Sequence, residues 1–93
     1  MSRDSQGKTL FPDDAEAHTD QCCRNLNAMM DAAAIRWSDI VHARVFCKRL
    51  QDVPVARRVV DRWLNGSACA RTELVANFFD PLATIEIELT ANV

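Results

Sequence analysis

A chain of 93 residues has room for one domain and, at this size, buries roughly 65% of its unfolded surface, enough for a core with little margin. Hydrophobic residues make up 48% and charged residues 26%, with only two Gly and three Pro, which excludes a disordered or collagen-like chain. A formal net charge of −2 supplies no electrostatic footprint for a nucleic-acid backbone or an anionic membrane, so neither is an expected partner.

The N-terminus, "MSRDSQGKTLF", has no secretory h-region, and no apolar run reaches the about 18 residues of a membrane span, so the expected location is cytoplasmic. Cys22, Cys23, Cys47 and Cys69 lack the short spacing of a zinc knuckle or a redox pair. They are expected as reduced packing thiols, with no metal and no cofactor implied.

The first element predicted is a helix over residues 13–34, "DDAEAHTDQCCRNLNAMMDAAA", with Ala15, Cys22, Cys23, Leu26, Met29, Met30 and Ala33 on one face. Pro12 and the acidic pair Asp13 and Asp14 suit its N-terminus. His18 falls in its polar first turns. A half-buried strand follows in "SDIVHARVFCKRL", with Val41, Ala43, Val45 and Cys47 inward and His42, Arg44 and Lys48 outward. "DVPVARRVVDRWLNG" reads as a second helix capped by Asp52, with Val55, Ala56, Val59, Val60, Trp63 and Leu64 as its apolar stripe and Asn65-Gly66 as its stop. Arg57, Arg58, Asp61 and Arg62 form its solvated side.

Two strands close the chain, residues 70–78 and 82–91, around a turn at Asp80-Pro81. In the first, Arg71, Glu73, Val75 and Asn77 share a side; in the second, Ala83, Ile85, Ile87 and Leu89 are the buried set. With a short strand stub predicted at residues 8–11, the order predicts an α+β fold in which two helices cover one face of a sheet and the other face meets water or another subunit. Arg71 and Glu86 are the chemically suggestive pair. A guanidinium fork binds a carboxylate, and a nearby carboxylate can take a proton from an attacking water. They would share the polar face if the last two strands pair in the register whose numbers sum to 157, which the sequence does not fix; otherwise they are surface charges.

The closing stretch "ARTELVANFFDPLATIEIELTA" resembles the C-terminal signature of the Rid/YjgF (RidA-like) family, 2-iminobutanoate/2-iminopropanoate deaminases with P-A-R-[ST] followed by a [VI]-E-[VI]-E strand. Ala70-Arg71-Thr72 matches the first element and Ile85-Glu86-Ile87-Glu88 the second. "GKTLFPDDAEAHTDQCCRNL" is similar to the family's entry into its first helix, and "AAIRWSDIVHARVFCKRLQDVPVARRVV" to its next strand and helix, so the likeness runs over residues 5–91. The resemblance implies a chorismate-mutase-like mixed sheet, residues 1–93 as a single RidA-like domain, and a homotrimer with clefts between subunits. It also implies cofactor-free hydrolysis of 2-imino acids to 2-keto acids and ammonia.

By the same resemblance, Arg71 and Glu86 are the expected catalytic residues, Arg71 holding the substrate carboxylate and Glu86 activating water. Glu73 and Asn77 join Arg71 as expected substrate-binding positions. Glu73 stands where the family often has Cys, Arg57 falls near a family Asn, and the family's opening β-hairpin has no counterpart before Ser5, so the domain is expected to be N-terminally truncated. Two alternatives stay open: a non-catalytic trimeric module binding a carboxylate metabolite or a protein, and the RidA-like C-terminal half of chorismatase-type enzymes, whose Cys before the last strand is replaced by Phe79 or Asp80.

Overall fold

In the computed structural model, which describes residues 1–92, the chain runs α1 (Ala15–Ala32), β1 (Ile40–Cys47), α2 (Val53–Leu64), β2 (Ala70–Val75) and β3 (Ile85–Ala91). The α+β expectation holds: a mixed three-stranded sheet carries two helices. The strand order is β2-β1-β3, with β1 parallel to β2 and antiparallel to β3.

That order settles what the sequence left open, since the last two strands do not pair with each other. A parallel neighbour needs a crossover, which α2 supplies between β1 and β2. The free edge of β1 then receives β3. Residues 76–84 therefore do not form a tight hairpin but round the end of β1, held where the Ala76 amide donates to the Cys47 carbonyl (2.9 Å) and the Lys48 amide to the Thr84 carbonyl (2.8 Å). The predicted stub at residues 8–11 is reduced to a single bridge between Thr9 and Arg3.

The core lies between the helices and one sheet face. Ala43, Val45 and Cys47 of β1 meet Cys22 and Cys23 of α1, Ala56, Val60 and Leu64 of α2, and Ile85 and Ile87 of β3. Burial of such apolar surface, at about 25 cal/mol per Å², is what makes a marginal three-stranded sheet hold. Asp14 caps α1 by accepting the Ala17 amide at 3.0 Å, and α2 ends at Asn65 and Gly66, both in the left-handed region (φ 49° and 81°). Asp52, expected as a cap for α2, instead accepts from Arg49 Nε at 3.1 Å and makes no cap bond.

Two burial patterns depart from plain periodicity. The pairing of β1 with β3 slips between Ile40 and His42, so that Ile40 turns inward and Val41, expected in the core, is 44% exposed. On α1 the inward stripe passes through His18 and Thr19, both fully buried, while Met29 faces out. Their polarity is satisfied locally. Thr19 donates its hydroxyl to the Ala15 carbonyl (2.7 Å), and His18 Nδ1 lies 3.1 Å from the Phe11 carbonyl. Because a carbonyl only accepts, Nδ1 carries the proton, leaving Nε2 to accept the Thr84 amide at 3.5 Å. His18 thus ties the loop before α1 to the loop before β3.

The thiols behave as packing groups. Burial pushes Cys22 and Cys47 up to about 11 and Cys23 up to about 12, from an ordinary 9.0, and raises Cys69 as well. A neutral thiol favoured by the fold contributes stability that is complete below about pH 9 and is lost as pH rises through the folded values. The urea midpoint is therefore expected to fall from pH 9 towards pH 11, a range in which no Tyr titrates because the chain has none; a midpoint flat over that interval would contradict buried thiols. Replacing His18 by Ala, which strands the Phe11 carbonyl and the Thr84 amide and opens a cavity, is expected to cost about 2–4 kcal/mol in the same unfolding measurement.

Candidate functional site

Strand register decides where each candidate side chain points. Arg71 pairs with Ala43 and Glu73 with Val45, both buried on the helix side of β1. Residues paired across a ladder share a face, so Arg71 and Glu73 project from the edge strand towards α2. Glu86 pairs with Phe46, on the face that carries no helix. Arg71 and Glu86 therefore lie on opposite faces of the sheet, with β1 between their strands, about 10 Å apart laterally before the faces diverge. The shared polar face that pairing of the last two strands would have given is not formed within one chain. Asn77 lies beyond β2, which ends at Val75, so the strand alternation that grouped it with Arg71 does not extend to it.

Each candidate charge has a partner. Arg57 and Asp61, one helical turn apart, present opposite charges from the same side of α2 to the edge of β2. Arg57 Nε donates to Glu73 Oε1 at 2.7 Å, and Arg71 Nη1 pairs with Asp61 Oδ1. The result is a two-rung ladder in which helix and strand alternate in sign. The hydrogen bond that Arg57 donates to Glu73 holds the Arg57 pKa above its usual value. Arg57 and Asp61 were legible only as a solvated helix face; their opposite charges at i and i+4 were the signal, but nothing in sequence said that β2 would lie beneath them.

On the open face, Arg44 Nη1 meets Glu88 Oε1 at 3.2 Å, and His42 Nε2 lies 2.9 Å from the Thr72 hydroxyl. Glu86 is partly exposed, with the N-terminal amine of Met1 at 3.9 Å. That amine arrives because residues 1–10 fold back on themselves and are pinned at two places. Asn25 Nδ2 donates to the Met1 and Arg3 carbonyls (2.6 and 2.9 Å), and the Thr9 hydroxyl donates to Asp80 Oδ2 at 2.5 Å. This last bond, with help from the Leu82 amide and Arg3, holds the Asp80 carboxyl below the ordinary carboxylate range.

Concavities lie elsewhere, and two of them illustrate their character. One of ≈ 260 Å³ is lined by Lys48, Arg49, Asp13, Pro81 and Thr84, and a second of ≈ 240 Å³ by apolar side chains including Met30, Ile40 and Leu89; neither touches Arg71 or Glu86. Among the described residues no three His, Cys, Asp or Glu side chains are grouped to hold a metal ion, and no helix is long and apolar enough to cross a membrane.

Residues 1–93 match the family profile described as Endoribonuclease L-PSP. Solved structures share the fold. The Rid-family protein YyfB of Yersinia pestis, described as of unknown function, superposes with a TM-score of 0.89 at 21% identity, covering 99% of this chain and 72% of its own. A Thermotoga maritima protein whose description names it as a candidate endoribonuclease superposes at 0.87 with 23% identity, covering 97% and 71%. A member of the YjgF/YER057c/UK114 family from Mycobacterium tuberculosis superposes at 0.82 with 20% identity, covering 87% and 70%. No curated protein matches the chain.

Because the Arg71 and Glu86 ion pairs are partly exposed, replacing Arg71 by Ala or Glu86 by Gln is expected to change stability by less than about 1 kcal/mol, read as the urea midpoint of each variant. A larger loss would assign these side chains to the fold.

Proposed function

The chain belongs to the Endoribonuclease L-PSP family, that of the Rid/YjgF proteins, and from that premise we propose that it hydrolyses reactive 2-imino acids to 2-keto acids and ammonia as a homotrimer. The chemistry needs no cofactor. A 2-imino acid already has an electrophilic C2, and its carboxylate suits the planar fork of Arg71. Glu86 takes a proton from water as the oxygen attacks C2 and passes it to the imine nitrogen, giving a carbinolamine. It then takes the carbinolamine hydroxyl proton and delivers it to the nitrogen as the C–N bond breaks and the carbonyl forms, and 2-keto acid and ammonia leave.

One observation carries the assembled form of this reading: Arg71 and Glu86 face opposite sides of the sheet. Two such groups can act on one substrate only if they come from different copies, Arg71 from one and Glu86 from its neighbour, in a cleft between them. The uncovered sheet face and the edge of β2 support association, since Phe46 is only partly buried and Leu74 and Val75 are 43% and 56% exposed. A small carboxylate is favoured over RNA, despite the family's description, because Arg44, Arg57 and Arg71 are each paired with an acid and the net charge is −2.

Those same ion pairs favour a second reading, a module that binds a carboxylate without turning it over. The two readings separate in an assay that generates 2-iminobutanoate from threonine with a dehydratase and traps the residual imine with semicarbazide. Acceleration of imine loss by the wild-type chain, abolished in Arg71→Ala and in Glu86→Gln, is expected. Co-refolding the two inactive variants in equal amounts should restore about a quarter of wild-type activity, the share of interfaces that combine an intact Arg71 with an intact Glu86. Activity in neither the wild type nor the mixture would leave the binding module, and full activity in a monomer would remove the shared site.

A further inference from the structure

Arg71 is not free in the folded chain. Its guanidinium pairs with Asp61, and the two side chains are 30% and 46% exposed. Glu73, on the same face two residues along β2, is the more buried acid, but Arg57 already engages it at 2.7 Å. The charge ladder thereby sorts its members: Glu73 is neutralised from α2, and Asp61 is left as the carboxylate in contact with Arg71.

A guanidinium presents a limited set of N–H donors in one plane, and a ligand carboxylate requires the same donors that a protein carboxylate occupies. Asp61 is suited to give them up. It lies on the solvent side of α2, partly exposed, where water can solvate its charge once it turns away, and exposed pairs of this kind are weakly held. The covalent connection of α2 and β2 keeps it close, so it competes with every incoming anion at a fixed local concentration.

We propose that Asp61 is an internal competitor that occupies Arg71 in the unliganded chain and sets its affinity for small carboxylates. The inference rests on the reading of Arg71 as a carboxylate-binding group. An incoming ligand must exchange one carboxylate for another, so affinity comes from what the rest of the ligand adds. A bare monocarboxylate gains little, whereas a 2-oxo or 2-imino acid, with a polar group beside its carboxylate, has a second contact with which to complete the exchange. Asp61 therefore acts as a specificity-determining residue without touching the reacting carbon.

The test titrates the wild-type chain, Asp61→Asn, Asp61→Glu, Arg71→Ala and the Asp61→Asn/Arg71→Ala double variant with 2-oxobutanoate, a stable carboxylate. Heat of binding and the ¹⁵N shift of the Arg71 Nε–H are followed together. Asn keeps the size of the side chain and removes its charge, so Asp61→Asn is expected to bind about two- to fivefold more tightly, the factor that a weak exposed pair represents. The unliganded Arg71 Nε–H should shift as its partner is lost, and Asp61→Glu should return affinity towards wild type. A wild type too weak to titrate beside an Asp61→Asn variant that binds has the same meaning. Unchanged or weaker binding by Asp61→Asn, with binding still lost in Arg71→Ala, overturns the competitor role and leaves the carboxylate site standing. Binding that survives Arg71→Ala, or is absent from every variant, overturns both.

Discussion

Strand β1 is the constraint on which the rest of the molecule depends. It is hydrogen-bonded on both sides, to β2 in parallel and to β3 in antiparallel, and its inward side chains Ala43, Val45 and Cys47 form the floor on which both helices rest. A parallel partner obliges a crossover, so α2 must lie over the sheet, and the antiparallel partner must come from beyond β2, so residues 76–84 must round the strand's end. The small inward residues of β1 let the helices sit close. Their opposite neighbours, His42, Arg44 and Phe46, are left on a face that no element among the described residues covers.

The position of β1 also governs where the candidate residues stand. By separating β2 from β3 it puts Arg71 on the helix side and Glu86 on the open side, so two residues only fifteen apart in sequence cannot meet in one copy. Within the copy, α2 answers the charges of β2 with charges of its own. Glu73, which in isolation would repel an anionic ligand beside Arg71, is neutralised by Arg57. The edge of the sheet is thus a set of partly exposed ion pairs. Its electrostatics are short-ranged, because exposed pairs are screened by water and salt.

Much of the fold was legible because apolar periodicity reports burial directly. The inward runs of β1 and β3 and the stripe of α2 over Ala56, Val59, Val60 and Leu64 appear in the structure at the predicted positions. Where periodicity failed, a hydrogen bond or a register slip was the cause. His18 and Thr19 carry polar atoms and so read as surface, yet each finds backbone partners that make burial tolerable. Val41 belongs to the apolar alternation, but the slip between Ile40 and His42 turns it out. The spacing predicts the first closing strand over residues 70–78, but β2 ends at Val75, so Asn77 lies outside its alternation.

The sequence by itself determined which segments are helices and strands, most of the apolar faces, that the thiols are packing groups, and that Arg71 and Glu86 stand among the charged residues of the two closing strands. Those are local properties, set by spacing along the chain and by the chemistry of single residues. Strand order, the faces on which Arg71 and Glu86 lie, and the partners of Arg57 and Asp61 were decided only by tertiary structure. They depend on which strand edge is free when each segment arrives, and a pattern of period two states that a strand has two sides without stating which neighbour it will meet.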